Sequence, residues 1–255
     1  MELPRNDFKR AIRAGQQQIG LWVSLASAYS AEIVAGSGFD WLLLDGEHSP
    51  NDPPRILEQL HAASAYETAH CIVRPAWNEK VLIKRYLDVG TQSFLVPYVQ
   101  SAEEAASAVE AIRYPPRGVR GVAGTTRASR FGRIADYVKR AEEELCLLVQ
   151  IETRAGLDAL EAIARTDGID GVFIGPADLA AGLGHLGDIG HAEVQSAIRD
   201  AIARIKSCGK PAGILATDET SARRYMEWGT TFTAVGLDAM ILAKETEKLA
   251  KLYKR

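Results

Sequence analysis

Polar side chains follow an apolar stretch of strand length at residues 41–44, where Asp45, Glu47 and His48 lie within four positions. Buried parallel strands read as continuous apolar runs, and the carboxyl ends of such strands carry the active sites of α/β enzymes. Carboxylates beside an imidazole can transfer protons near neutral pH, because histidine titrates near ~6.5. The structural alternative is a helix N-cap formed by Asp45 or Ser49, with Glu47 near the helix dipole.

Three further apolar runs end in a charged side chain just beyond the run: Arg74, Glu152 and Asp178. One apolar run followed by a charged residue is common, but several such runs at one edge of a sheet would form a site. The recurrence of this pattern therefore favours a functional site at residues 45–48 as well. Arg74 offers a planar fork that can bind a substrate carboxylate or a developing oxyanion. Its alternative role is an ion pair with Asp45 or Glu47.

Glu152 and Asp178 are the predicted metal ligands. Two carboxylates from neighbouring strand ends form a hard oxygen site with open positions, which suits Mg²⁺ or Mn²⁺ holding water and a chelating substrate. Co²⁺ and Zn²⁺ are further candidate ions. Each carboxylate also has a structural alternative, because Glu152 could pair with Arg154 and Asp178 could cap the turn after Pro176.

A divalent cation, a carboxylate-binding arginine and a histidine base together describe proton abstraction next to a carbonyl group. The cation polarises the carbonyl as a Lewis acid, and the arginine stabilises the enolate charge. This chemistry serves aldol cleavage and condensation. Asp45 lies three residues before His48 and is predicted to orient its imidazole. No lysine lies at a predicted strand end, which argues against a Schiff-base aldolase.

Eight apolar segments are predicted to be strands, and segments with helical periodicity separate most of them. The predicted strands are residues 19–25, 41–44, 71–73, 94–99, 145–151, 171–174, 212–215 and 232–235. Predicted helices include 102–112, with Ser101 as N-cap and Glu104 at the capping-box position, together with 157–164 and 192–206. Alternation of strand and helix implies a parallel sheet, and eight such units in 255 residues predict one (β/α)₈ TIM barrel over residues 1–255.

A doubly wound sheet is the alternative, but it needs a glycine fingerprint directly after its first strand. The Gly-x-Gly-x-x-Gly pattern at residues 182–187 lies six residues beyond its strand and behind a short helical turn, so it does not predict a dinucleotide site. In a barrel, all strand carboxyl ends share one face. The residues expected there are Trp22, Asp45, Glu47, His48, Arg74, Glu152, Asp178 and Asp238.

Composition excludes several classes of function. A net charge of −3 gives no footprint for nucleic acid or an anionic membrane, and no apolar run is long enough to span a bilayer. Three cysteines without a Cys-x-x-Cys spacing fit a reducing, cytoplasmic compartment and argue against a structural zinc site. No role is assigned to the remaining histidines, which are His61, His70, His185 and His191.

One long irregular segment, residues 114–134, carries five arginines and could meet an anionic substrate. We expect most of these side chains to lie at subunit contacts or in solvent. The arginines are Arg117, Arg120, Arg127, Arg130 and Arg133.

The blocks that carry these residues resemble the HpcH/HpaI aldolase family of metal-dependent class II pyruvate aldolases. The resemblance covers nearly the whole chain, and Gly-Val-Phe-Ile-Gly-Pro-Ala-Asp-Leu at 171–179 is its most diagnostic block. The other blocks are residues 19–22, 39–48, 73–78, 88–92, 113–116, 149–153 and 211–215.

The resemblance implies a role for each matching residue. Glu152 and Asp178 would bind the metal, Arg74 would contact the keto or enolate oxygen of pyruvate, and His48 with Asp45 would handle protons at the aldehyde oxygen. Glu47 would lie beside them and bind water. Main-chain amides near Ala177 and Asp178 would hold the substrate carboxylate. Further predicted substrate-binding residues are Trp22, Gln150, Leu215 and Asp88.

The resemblance also implies a phosphoenolpyruvate/pyruvate-type barrel that forms a homohexamer, a trimer of dimers with exchanged C-terminal helices. Residues 243–253 have the amphipathic character for such an exchange. Asp88 would then approach the active site of a neighbouring subunit.

The implied reaction is reversible cleavage of 4-hydroxy-2-oxo acids into an aldehyde and pyruvate or hydroxypyruvate, in the catabolism of aromatic compounds. Aldolases for 2-dehydro-3-deoxyglucarate or 2-keto-3-deoxyrhamnonate share the core motifs and are alternatives. A citryl- or malyl-thioester lyase would need a nucleotide-binding surface that the sequence does not provide. A non-catalytic metabolite-binding barrel is the alternative outside enzymes.

Overall fold

Eight parallel strands form the centre of the protein. The computed structural model describes residues 1–66 and 69–254. The strands pair in chain order, and β8 pairs with β1 to close a barrel. They are β1 (Gln18–Val23), β2 (Trp41–Asp45), β3 (His70–Arg74), β4 (Ser93–Val96), β5 (Cys146–Ile151), β6 (Gly171–Ile174), β7 (Ala212–Leu215) and β8 (Phe232–Leu237). The predicted (β/α)₈ barrel is confirmed.

Helices surround the barrel and follow the strands. They are α1 (Asp7–Arg13), α2 (Ala28–Ala35), α3 (Pro53–Ala63), α4 (Lys80–Asp88), α5 (Ala102–Ile112), α6 (Tyr137–Arg140), α7 (Arg154–Asp158), α8 (Leu160–Arg165), α9 (Pro176–Gly182), α10 (Ala192–Ser207), α11 (Glu219–Trp228) and α12 (Asp238–Tyr253). Two 3₁₀ turns cover Arg127–Ser129 and Ala141–Glu144. None of the helices in the described ranges is both long and apolar enough to cross a membrane.

Helix α5 has the bounds and the cap that the sequence predicts, since Ser101 Oγ accepts a hydrogen bond from the Glu104 N–H at 3.2 Å. The predicted helix at 157–164 is instead divided into α7 and α8. Ala159 separates them because its backbone, at φ −93° and ψ 6°, leaves the helical range.

Two strands end earlier than predicted because their next backbone groups bind side chains. After β1, the N–H groups of Ser24 and Leu25 donate to the Asp238 carboxylate at 2.8 and 3.2 Å. Beyond β4, Tyr98 has a φ of +58° and donates its N–H to Glu152 at 2.8 Å. Both departures occur at the carboxyl face of the barrel, where the chain leaves regular pairing.

Large aromatic rings fill the barrel interior. Trp41 and Phe232 lie 6.2 Å apart, and Phe8 of α1 packs within 6.0 Å of both from the amino-terminal end. Gly20 and Gly213 make room for these rings, because a Cβ on either glycine would overlap Trp41 or Phe232. Helix α1 therefore closes one end of the barrel and leaves the carboxyl end open.

The strands pack on both faces. Leu43 and Ile72 point into the barrel, whereas Leu42, Leu44 and Val73 pack outward against the helices, and each is at most 1% exposed. Burial on both faces explains why the strands read as continuous apolar runs. Burying one such side chain contributes roughly 1.5–3 kcal/mol, so the scaffold beneath the strand ends is rigid.

The arginine-rich segment 114–134 is irregular, as predicted, and Arg117, Arg130 and Arg133 are exposed. Arg120 contradicts the expectation of a surface role, because only 1% of it is exposed. Its guanidinium lies 4.4 Å from the centre of the Tyr114 ring and 3.7 Å from Asp88. Arg120 thus anchors the segment to the end of α4.

Candidate functional site

A cavity of about 560 Å³ opens at the carboxyl ends of the strands. Its size is that of a small-molecule site. The structure brings eight of the predicted site residues to its walls: Trp22, Asp45, His48, Arg74, Gln150, Ala177, Asp178 and Leu215. They come from strand ends or the turns that follow, so the barrel closure itself assembles them.

Arg74 and Asp45 form a buried bidentate ion pair. Strand register places the two residues opposite each other at the ends of β3 and β2. Arg74 Nε donates to Asp45 Oδ1 at 2.9 Å, and Nη2 donates to Oδ2 at 2.7 Å. Burial alone would raise the pKa of Asp45, but the Arg74 hydrogen bonds and charge lower it below its ordinary value.

The predicted Asp45–His48 side-chain pair is absent from this structure. Both carboxylate oxygens of Asp45 bind Arg74, and Oδ1 also accepts the main-chain N–H groups of Glu47 and His48 at 3.0 and 3.4 Å. Asp45 therefore shapes the turn after β2 through its contacts with the backbone. It orients the arginine instead of the imidazole. The helix N-cap considered above at Asp45 or Ser49 is wrong, because the next helix, α3, begins at Pro53 and is capped by Asp52.

His48 reaches into the cavity from that turn with a side chain that is 67% exposed. Its Nε2 lies 3.9 Å from Glu47 Oε2, which is beyond hydrogen-bond distance. The imidazole is thus free to meet a ligand that enters from solvent.

Arg74 holds a second carboxylate and an aromatic ring. Its Nη1 lies 2.8 Å from Glu47 Oε2, and its Cζ lies 5.1 Å from the centre of the Trp22 ring. Burial raises the pKa of Glu47 above its ordinary value, although the Arg74 charge opposes that rise. Arg74 therefore forms the ion pairs with Asp45 and Glu47 that were considered as its alternative role. These ion pairs fix the guanidinium at the cavity wall.

Glu152 lies one residue beyond β5 and is 2% exposed. Its Oε1 accepts the Tyr98 N–H at 2.8 Å, and its Oε2 accepts a close hydrogen bond from Gln150 Nε2. Burial raises the pKa of Glu152 to about 7, and the charges of Glu47 and Asp178 add to the rise. A buried carboxylate near two others is a place where a cation would be strongly stabilised.

Asp178 lies in the first turn of α9, directly after β6. The helix begins at Gly175 without a side-chain cap, so Asp178 does not serve as the cap considered above. The other alternative also fails, because Arg154 approaches Glu193 at 4.0 Å and is not paired with Glu152. The carboxylates of Glu152 and Asp178 thus do not have the alternative structural roles that the sequence left open.

The side chains around Glu152 fit a hard divalent cation. The charges of Glu47 and Asp178 contribute to the raised pKa of Glu152, and Arg74 lies 2.8 Å from Glu47. The buried Gln150 Oε1 has no hydrogen-bond partner among the described residues. Such an all-oxygen donor set suits Mg²⁺ or Mn²⁺.

Gly175 is required for the position of Glu152. A Cβ on Gly175 would lie 2.5 Å from Glu152 Oε2, 2.8 Å from its Cβ and 3.1 Å from Gln150 Nε2. The glycine therefore provides the space that the carboxylate occupies. Sequence analysis missed this residue, although its place before Pro176 at a strand end was visible.

We expect Gly175→Ala to weaken metal binding and lower catalytic turnover about tenfold or more, because Glu152 must move away from its position. Metal affinity by calorimetry and turnover at saturating metal measure the two effects. Gly124→Ala is the control, since a Cβ at Gly124 meets nothing within 4 Å. Equal affinity and turnover in the Gly175 variant and the control would contradict this role.

Three predicted site residues are not among those that line the cavity: Glu47 and Glu152 lie behind its wall, in contact with Arg74 and Gln150, and Asp88 lies away from it. Asp88 lies at the end of α4, which runs back to the amino-terminal ends of the strands, and its side chain is 28% exposed beside Arg120. It cannot reach the cavity of its own chain. Its predicted contact with a neighbouring subunit stays a prediction.

Other cavity residues come from outer helices that carry no strand-end signal. Gln195 of α10 and Arg224 of α11 line the cavity, with a 3.2 Å hydrogen bond from Arg224 Nη1 to Gln195 Oε1. Gln195 Nε2 in turn donates a hydrogen bond to the Tyr225 hydroxyl oxygen at 3.0 Å. Helical periodicity assigns these positions to ordinary helix faces, so the sequence alone gives no reason to select them.

Comparison with known proteins identifies the relatives of this chain. It is 61% identical to a pyruvate aldolase of Rhizobium etli, over 99% of both chains. It is 53% identical to a hydroxypyruvate/pyruvate aldolase of Pseudomonas aeruginosa, over 100% of this chain and 95% of that one. It is 55% identical to a 4-hydroxy-2-oxo-heptane-1,7-dioate aldolase of Klebsiella pneumoniae, over 97% and 94% of the two chains.

Solved structures agree with this relationship. A crystal structure of an HpcH/HpaI aldolase/citrate lyase family protein from Burkholderia cenocepacia superimposes with a TM-score of 0.94 at 40% identity, covering 96% of this chain and 98% of that one. The sequence model of the HpcH/HpaI aldolase/citrate lyase family matches residues 18–244. The chain therefore belongs to the HpcH/HpaI aldolase/citrate lyase family.

Proposed function

We propose that this protein is a metal-dependent aldolase that cleaves 4-hydroxy-2-oxo acids, reversibly, to an aldehyde and pyruvate or hydroxypyruvate. The observation that carries the proposal is that Arg74 and Asp178 line the cavity at the carboxyl ends of the strands, with Glu152 buried directly behind Gln150 and Gly175 of its wall. This arrangement combines a fixed guanidinium with oxygen ligands for a cation. The aldolase relatives support the reaction class.

Glu152 and Asp178 would hold the cation, and Mg²⁺ or Mn²⁺ suits their oxygen ligands. When bound, the cation supplies Lewis-acid polarisation of the 2-oxo group. Main-chain N–H groups at the start of α9, near Ala177 and Asp178, are positioned to bind the substrate carboxylate, because the first N–H groups of a helix have no helical partner.

Arg74 would stabilise the enolate oxygen that forms when the carbon–carbon bond breaks. Its hydrogen bonds to Asp45, its contact with Glu47 and its place against Trp22 fix the guanidinium before substrate binds. A donor fixed in advance needs no reorganisation during the reaction, and this is how such groups lower a barrier. Asp45 and Glu47 act here by positioning the arginine.

His48 would accept the proton of the 4-hydroxyl during cleavage and return it to the aldehyde oxygen during condensation. Its exposed imidazole lies on the cavity wall, where the aldehyde half of the substrate can approach it. Neutral imidazole is a competent base near pH 7.

We expect His48→Asn to lower kcat about 10²-fold, at the low end for a general base because water can enter this exposed position. Thermal unfolding should be unchanged, since the His48 side chain is 67% exposed. Steady-state kinetics and calorimetry measure the two effects. His61→Asn, at an exposed helical histidine outside the cavity, is the control. A wild-type rate in His48→Asn would remove the imidazole from the mechanism.

The volume and the lining of the cavity determine which donor and which aldehyde can bind. Leu215 and Trp22 line it together with Gln150, and its 560 Å³ leaves room beyond a three-carbon donor. One added hydroxyl on the donor methyl needs little extra space, so pyruvate and hydroxypyruvate both fit. Two classes of substrate remain candidates, and they differ in the aldehyde half that is released. One class is the heptanedioate-type acids of aromatic catabolism, and the other is the sugar acids.

The C-terminal helix supports a homo-oligomer. Residues 241–254 are all exposed, and they include Leu249, Leu252 and Tyr253 at 56%, 72% and 82% exposure. Apolar side chains in such a row are stabilised by a second protein surface. We propose the exchange of α12 between subunits of a hexamer, in which Asp88 approaches a neighbouring cavity. The free thiols of Cys71, Cys146 and Cys208 fit a cytoplasmic setting.

Release of pyruvate from synthetic 4-hydroxy-2-oxo acids tests the proposed function. The purified protein is assayed with Mg²⁺ or Mn²⁺ and with excess chelator, and pyruvate is measured by reduction to lactate. Metal-dependent release is expected. A binding barrel without catalysis would release no pyruvate from any of these acids while still binding pyruvate.

A further inference from the structure

Two histidines and a glutamate meet outside the cavity, in the loop between α9 and α10. His185 and His191 lie in this loop, and Glu193 lies in the first turn of α10. Gly184 and Gly187 have φ values of +90° and +80°, a conformation that glycine adopts at no steric cost. These two turns fold the loop back so that residues six positions apart meet.

The three side chains offer one ligand atom each within a small volume. Those atoms all lie within 4.8 Å of one another. The imidazole rings of His185 and His191 stack at 3.5 Å between centres with an angle of 17°, and His185 Nε2 lies 2.8 Å from Glu193 Oε2. His191 Nδ1 accepts the Glu193 N–H at 3.3 Å, so an ion bound at Nδ1 would replace this hydrogen bond, and an ion bound at Nε2 would require the ring proton to move to Nδ1.

We propose that His185, His191 and Glu193 form a second metal site, which binds a transition-metal ion such as Zn²⁺, Co²⁺ or Ni²⁺. Two imidazoles and one carboxylate are ligands that these ions prefer, whereas Mg²⁺ prefers oxygen ligands alone. Both rings would have to rotate out of their stack so that their in-plane lone pairs converge on the ion, and Glu193 is exposed enough to follow. The remaining positions would be filled by water.

One carboxylate oxygen of Glu193 faces away from the nearby arginine. Arg154 approaches Glu193 Oε1 at 4.0 Å, on the oxygen that does not face His185. Glu193 Oε2 therefore remains for the ion. In the metal-free protein the same oxygen contacts His185, so the ion replaces a hydrogen bond that already brings two of the three ligands together.

Metal binding at this second site would affect the main cavity through the loop between α9 and α10. Ile189 and Gly190 line that cavity and lie between the two histidines in sequence. An ion held by His185, His191 and the start of α10 would fix this stretch of wall. The second site is separate from Glu152 and Asp178 in its residues, and its two imidazoles distinguish it from an all-oxygen site.

Titration with Co²⁺ tests the site, because histidine-ligated Co²⁺ gives visible absorption. The full-length protein is first saturated with Mg²⁺, which is kept in large excess throughout because Co²⁺ can also compete for the oxygen site. We expect one further Co²⁺ to bind per chain, and His185→Phe combined with His191→Asn to weaken that binding at least tenfold. Phenylalanine preserves the ring packing, and asparagine preserves the helix cap. His61→Ala controls for unspecific histidine binding.

Two results would overturn the proposal: no additional Co²⁺ bound to the Mg²⁺-saturated wild type at 1 mM Co²⁺, or equal Co²⁺ binding in the double variant and in His61→Ala. The Asp178→Ala variant separates this proposal from the proposed function. In that variant the Co²⁺ absorption of the second site should persist even though the oxygen site has lost a ligand.

Discussion

Asp178→Ala is expected to lower aldolase turnover at least about 10³-fold, because one of two carboxylate ligands is lost from the cation that polarises the 2-oxo group. Glu152→Gln should have an effect of the same size. It preserves the shape of the Glu152 side chain beside Tyr98 and Gln150 but removes its charge. Turnover is measured as pyruvate release over a metal titration.

The reason for expecting a loss this large is the environment of the two carboxylates. Glu152 is 2% exposed and lies near the charges of Glu47 and Asp178, and a water molecule that replaces the exposed Asp178 carboxylate would not supply its negative charge. Asp167→Ala is the matched control, since that carboxylate is 88% exposed and contacts Arg113. Full activity of Asp178→Ala after chelator treatment would refute the metal assignment.

Arg74→Lys is expected to lower kcat about 10³-fold while the protein stays folded, because lysine keeps the charge but loses the planar fork. In the wild type that fork makes two hydrogen bonds to Asp45 and a 2.8 Å contact with Glu47. A flexible ammonium group cannot hold both carboxylates and the enolate oxygen at once. Turnover and circular dichroism of the same sample distinguish catalysis from folding.

We expect Arg74→Met to lower the free energy of unfolding as well as the catalytic turnover. This substitution leaves Asp45 and Glu47 without their cation, at side-chain exposures of 3% and 13%. Removing one partner of such a buried pair costs about 3–5 kcal/mol. Chemical denaturation should show that loss in Arg74→Met and a smaller loss in Arg74→Lys. Wild-type turnover in Arg74→Lys would show that the fork has no part in the reaction.

The sequence predicts the barrel well because burial on both faces leaves continuous apolar runs, and all eight predicted strands are present. It also predicts which side chains gather at the cavity, since polar residues after parallel strands must share one face. His48, Arg74 and Asp178 are examples.

The partner of each side chain could not be predicted in the same way. Asp45 faces Arg74 because of the register of β2 and β3, and a shift of one residue would have placed it elsewhere. Tyr98 holds Glu152 through its backbone at positive φ, for which no side-chain type gives a signal. His185 and His191 meet only because of the path of a loop. These contacts depend on tertiary geometry that local patterns do not encode.

We infer that this barrel forms the enolate of pyruvate with the help of a divalent cation. Exchange of the pyruvate methyl protons for deuterium can be followed by NMR, first with Mn²⁺-free Mg²⁺ and then with excess chelator. We expect exchange with the metal, none with the chelator, and a strong reduction in Asp178→Ala. Exchange that continues at the same rate under chelation, or no exchange of pyruvate or hydroxypyruvate protons with any divalent cation, would contradict this inference.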